Sequence, residues 1–145
     1  MNSVLRIAIT CLVLGGMAAG IRAQDAGEST ELGLSDEEFK RLDVFEEQVL
    51  LKAENDFKAG TYGEAMAGYA TFVKKFAGSP ATSYALYRQA RCGELADKKA
   101  AAAAAWRQLI ERYPKEVKYA IPAMVSLADY YRAEKKLDEA AEIWV

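Results

Sequence analysis

Catalysis needs groups that take a proton, attack, or hold a metal, and this sequence offers few of them. Histidine is absent from all 145 residues, which removes Ser-His-Asp and Cys-His nucleophilic chemistry, histidine-ligated zinc and a histidine pH switch. Of the two cysteines, Cys11 lies in an apolar run near the start of the chain. Cys92 is then the single cysteine of the mature chain. It cannot form an internal disulfide, lacks the base that usually activates a thiol, and reads as a small buried hydrophobe. The adjacent carboxylates Glu37-Glu38 and Glu46-Glu47 are of the type used in acid–base work. Nothing places two of them across a pocket, however, and an acidic first turn accounts for Glu37 and Glu38 through the helix dipole. Basic and acidic residues are interspersed, with a formal net charge of −2, so no basic patch points to nucleic acid. No enzyme activity, metal or small-molecule cofactor is expected. What remains is the chemistry of non-covalent recognition.

The segments that would position such recognition divide the chain in three. Residues 1–23 read as an export signal: Arg6 supplies the positive start, residues 7–20 an apolar run too short and glycine-rich to span a bilayer, and Ala23 a small residue before the cut. Loss of Arg6 and Arg22 would leave the mature chain at −4. Lipidation at Cys11 is not expected, since Thr10 precedes it and most of the apolar run follows it. Residues 24–34 are polar and acidic, with no apolar period, and read as a flexible linker. Residues 35–145 carry helical periodicity throughout.

Within that domain the sequence repeats. Tyr69, Trp106 and Trp144 recur after 37 and then 38 residues, and the same offsets relate Ala53, Ala90 and Ala128; Leu50, Tyr87 and Val125; Val49, Leu86 and Met124; and Ala65, Ala102 and Ala140. Such a period marks a solenoid whose units bury their apolar faces on one another. Three units follow, at about 46–80, 81–117 and 118–145. A capping box at Ser35/Glu38 predicts a helix over 36–59, ended by Gly60 at its left-handed C′ position. A second box at Thr61/Glu64 opens the next helix at once, which forces an antiparallel hairpin. Ser79 as cap with Pro80 in the first helical position predicts a helix over 80–96, and Asp97 caps one over 98–113, stopped by Pro114. The alanine run 100–105 reads as a strong helix former that allows tight packing. The third unit starts near Tyr119, with Pro122 in its first turn, and runs to about Glu134. A last helix begins near Leu137, about half the length of its counterparts, as in a truncated chain.

These residues resemble tetratricopeptide repeats. The second-helix signature of that family is matched by Gly60-Thr61-Tyr62, Ala65-Met66, Tyr69, Phe72-Val73, Phe76 and Pro80. Ala102, Trp106, Leu109-Ile110 and Tyr113-Pro114 match it in the second unit, and Leu137, Ala140-Ala141 and Trp144 in the third. The longer period and the export signal resemble the envelope branch of the family, typified by the Tol–Pal-associated cell-division coordinator and by the tetratricopeptide component of outer-membrane β-barrel assembly. The resemblance implies an all-α solenoid of about two and a half helix hairpins. Its concave groove would be lined by Glu54, Phe57, Tyr84, Tyr87, Arg88, Arg91, Asp129 and Arg132. Arginines there would clamp a carboxylate or an acidic segment, and the aromatic residues would anchor an apolar side chain. The alternative for the charges is pairing with Glu54, Glu94 and Asp129 on a solvated face. The function implied is a non-catalytic protein-binding scaffold, exported to the periplasm or cell envelope. Its partner would be another protein, with no nucleic acid and no membrane span after signal cleavage. The alternative is an architectural module that packs on a further domain or another copy, as part of a larger envelope enzyme for instance.

Overall fold

The structure, a computed structural model, describes residues 32–145; the expected signal and most of the expected linker lie outside the described residues. Seven helices follow in order: α1 (Asp36–Phe39), α2 (Val44–Lys58), α3 (Tyr62–Lys75), α4 (Thr82–Leu95), α5 (Lys99–Arg112), α6 (Val117–Ala133) and α7 (Leu137–Glu142). There is no strand among the described residues. Each helix from α2 onward packs mainly on the next, which is the layered hairpin stack the repeats require. The fold is thus an all-helical solenoid, with hairpins α2–α3, α4–α5 and α6–α7.

The joints inside the hairpins repeat as regularly as the sequence columns. Gly60, Asp97 and Lys135 all take positive φ, at 77°, 55° and 60°. In each case the residue's own N–H returns to a carbonyl three back (Phe57, Glu94, Arg132). The next N–H returns to one five back (Asp56, Gly93, Tyr131). This double bond pattern satisfies the last carbonyls of the first helix and turns the chain directly into the second. Gly60 does what its sequence predicts. Asp97 does not: it occupies the left-handed joint, and Lys98 takes the cap position with no side-chain bond. Thr61 likewise caps nothing, and its hydroxyl donates to the Asp56 carbonyl at 2.9 Å.

Three other boundaries differ from expectation. The helix predicted over 36–59 is two helices, because Asp43 accepts from the N–H groups of Phe45 and Glu46 while Glu46 reaches back to the Asp43 N–H. That second capping box starts α2 afresh. Helix α4 begins at Thr82, with Ser79-Pro80 left in the preceding turn, where the Thr82 hydroxyl donates to the Phe76 and Ser79 carbonyls. Helix α6 begins at Val117, two residues early, so Pro122 sits in its second turn and cannot donate to the Lys118 carbonyl.

Small residues set how closely the helices of a hairpin approach. A Cβ added at Gly93 of α4 would lie 3.1 Å from the Ala102 Cα and N of α5, and one at Gly68 of α3 would lie 2.9 Å from the Ala53 Cβ of α2. The close contact is therefore made by glycine on the first helix in one unit and on the second helix in the other. Ala102, Ala103 and Ala105 of the alanine run are buried against this crossing, as is Cys92 beside it.

Candidate partner-binding face

The first helices of the three hairpins, α2, α4 and α6, carry all the predicted groove residues, and the structure divides these into two groups. The first is closed. The Glu54 carboxylate of α2 accepts from the Tyr69 hydroxyl at 2.6 Å and the Tyr84 hydroxyl at 2.5 Å, both on Oε1. Its Oε2 faces Nη2 of Arg88 at 3.2 Å. Arg88 also donates through Nε to the Tyr69 hydroxyl at 3.3 Å, and its guanidinium lies 3.7 Å over the Phe57 ring. The arginine is 5% exposed, so this is a buried charge pair with its hydrogen bonds met from three helices. Burial, and next the Glu54 charge, push the Tyr69 and Tyr84 hydroxyls far above their ordinary pKa, so both stay neutral donors. Burial opposes the charge on Arg88, but the Glu54 carboxylate and the hydrogen bond to the Tyr69 oxygen outweigh it and hold the guanidinium protonated.

Tyr87 belongs to the same closed group. Its ring meets those of Trp106 at 5.4 Å and Tyr119 at 5.6 Å, and Tyr84 meets Tyr119 at 6.0 Å. These tilted contacts join the second unit to the start of α6. Tyr84 and Tyr87 are both buried. As placed here they pack units together and present no free ring to a partner.

The second group is open. Arg91 pairs with Glu94, and the other oxygen of Glu94 accepts from Trp106 Nε1 at 2.9 Å. Arg132 pairs with Asp129 at 3.0 Å, both well exposed. Residues Glu94, Lys99, Trp106, Ser126, Asp129 and Tyr130 line an open cleft between the second hairpin and α6. Its floor is the alanine surface at Ala102 and Ala103, and its rim is polar. All three arginines thus make the acid pairs that the sequence offers as the alternative to a clamp, one buried and two at the surface.

Sequence reasoning missed a segment that docks on the start of α6 beside this group. The Gly33 carbonyl accepts from Lys118 Nζ at 2.6 Å and from the Tyr119 hydroxyl at 3.2 Å, reaching 85 and 86 residues along the chain. Leu32, Leu34 and Leu42 pack against the core, and Glu38 lies 3.9 Å from Lys118. The end of the stretch read as linker is therefore packed. The available signal was Leu32 and Leu34 on alternate positions, the period of an extended segment with one face buried.

The stacked hairpins give the described residues the architecture of a helical-repeat protein. A tetratricopeptide repeat family model matches residues 84–116, which covers α4 from Tyr84 onward, α5 and the turn beyond. This match supports a tetratricopeptide repeat protein, and repeats of that family generally mediate protein–protein interaction, typically without catalysis. No curated protein and no solved structure matches the chain. No helix among the described residues is long and apolar enough to cross a membrane.

Proposed function

We propose that this chain is a non-catalytic scaffold of the bacterial envelope that holds a segment of another protein in the cleft lined by α4, α5 and α6. The observation that carries the reading is the open cleft between the second and third hairpins, with an apolar floor at Trp106 and the alanines and a polar rim at Glu94, Ser126 and Asp129. A preformed cleft of this type binds without first ordering itself. Export is supported by Arg6, the apolar run 7–20 and Ala23. The test is affinity capture from envelope extracts with the full chain, comparing wild type with an Asp129→Ala/Arg132→Ala double variant. A partner bound by wild type and lost from the variant supports the scaffold. A partner retained by the variant moves the interface elsewhere. Fractionation of cells expressing the chain tests its location, and a cytoplasmic pool alone would remove the envelope from the proposal.

One observation favours a second, architectural reading. Trp106 is 1% exposed, while Trp144 of the same repeat column is 57% exposed. Tyr87 is buried, while Val125 of its column is open. The third hairpin thus shows a surface that the second hairpin covers with its successor, and a further helical layer or another copy would cover it in the same way. Sedimentation of wild type and Trp144→Ser separates the readings: association lost on substitution favours the architectural one, and a monomer in both cases favours the scaffold.

A further inference from the structure

Residues 32–43 run from the first turn of α6, at Lys118 and Tyr119, to the start of α2 at Val44, and so span the second unit. This strap begins extended, turns through the short α1 and re-enters helix at the Asp43 cap. It is anchored on Tyr119, whose ring meets those of Tyr84 and Tyr87, two of the expected groove positions.

Its hold is shallow. No residue of α1 is buried, and Leu32, Leu34 and Leu42 are only partly covered. Its polar anchors are one backbone carbonyl, shared by the Lys118 and Tyr119 donors, and the 3.9 Å approach of Glu38 to Lys118, whose side chain is 42% exposed. Donors that grip a main-chain carbonyl make no demand on the side chain at that position. A Cβ at Gly33 would meet nothing within 4 Å. What the site reads is therefore two apolar side chains on alternate positions, a carbonyl between them, and an acidic helix start behind them.

We infer that residues 32–43 are a displaceable internal ligand, and that the strip they cover takes a partner segment of the same chemistry: apolar–any–apolar, then a capped acidic turn. The inference deepens the scaffold reading by giving the face a second site and a gate. Partner affinity would be reduced by the fraction of time the strap is seated, so release of the strap would switch binding on.

The probe is a labelled synthetic peptide of residues 31–43, followed by fluorescence anisotropy on the full chain. The chain is used as wild type and as a Leu32→Asp/Leu34→Asp variant, which frees the strap and leaves its site intact. The expected result is binding to the variant about tenfold or more tighter than to wild type. Adding Lys118→Glu to the variant should abolish it, and a Gly33→Ala peptide should bind as well as the parent. Equal binding to both chains, or no binding to a folded variant, would overturn the inference. If the variant does not fold, hydrogen exchange on wild type decides: strap amides should exchange through a local opening well ahead of α4, and exchange only with global unfolding would sink the proposal. No cellular partner enters either measurement, so failed capture from extracts leaves this inference standing, and the reverse holds as well.

Discussion

Arg88 and Arg132 are both arginines on first helices, and each faces a carboxylate at nearly the same distance, 3.2 and 3.0 Å. Their surroundings are opposite. The Arg88 side chain is 6% exposed and that of Arg132 is 70% exposed. At the closed end Tyr69, Tyr84 and Arg88 all donate to Glu54, whose side chain is only 18% exposed, so water has little access to replace a lost partner. At the open end water and salt compete for both charges, and an i,i+3 surface pair contributes little. The lesson is that the same pair of residue types is a fastener in one place and a solvated surface pair in the other, with burial deciding which.

The largest effect should come from breaking the fastener. Glu54→Ala leaves a buried guanidinium and two buried hydroxyls without their acceptor, and should cost about 3–5 kcal/mol. That would lower the thermal midpoint by about ten degrees or more. An unchanged midpoint would mean that the closed end is not closed in solution. Next is Gly93→Ala, whose added carbon meets backbone atoms of α5 at 3.1 Å and can only be accommodated by parting the helices. A loss of about 1–3 kcal/mol in chemical denaturation is expected. The opposite sign is expected at the third joint: Lys135→Gly relieves a side chain held at φ 60° and should stabilise by up to about 1 kcal/mol.

Glu38 tests the strap alone. Burial works to raise its pKa, but hydrogen bonds from the Ser35 backbone and hydroxyl, with the charges of Lys118 and Arg41, outweigh this and hold it below the ordinary value. A carboxyl depressed in the folded state adds stability at higher pH and loses it as pH falls below the ordinary carboxylate range through its own lower value. The strap should therefore loosen on acidification. The Gly33 and Tyr119 NMR signals should move before those of α4, and the step should vanish in Glu38→Gln. The smallest effect belongs to the open end: Asp129→Ala should change stability by under about 0.5 kcal/mol while still weakening partner capture.

The hairpin order and the repeat columns were legible because they rest on local signals: apolar spacing, capping residues, and small residues recurring at fixed offsets. Gly60 was legible for the same reason. Asp97 was misread because aspartate suits both a helix start and a left-handed joint, and only the return of its N–H to Glu94 decides between them. The break before α2 was in the sequence as Asp43 and Glu46, but the apolar period of Leu42, Phe45 and Val49 runs on through it. The three arginine–acid pairs were readable, whereas the burial of one of them was not, since that depends on α2 and α4 meeting and on Tyr69 arriving from α3. The strap was out of reach because its anchors lie 85 and 86 residues away.

Cys92 has no exposed surface and sits beside the tightest crossing in the second hairpin. A thiol reagent can reach it only when the packing around α4 opens, so the rate of its modification becomes a clock for the opening of the central unit. That clock is set by the hairpin's interior and not by the strap above it. The protein thus carries its own means of telling apart two motions: a cover lifting, which leaves the thiol silent, and a layer coming undone, which exposes it.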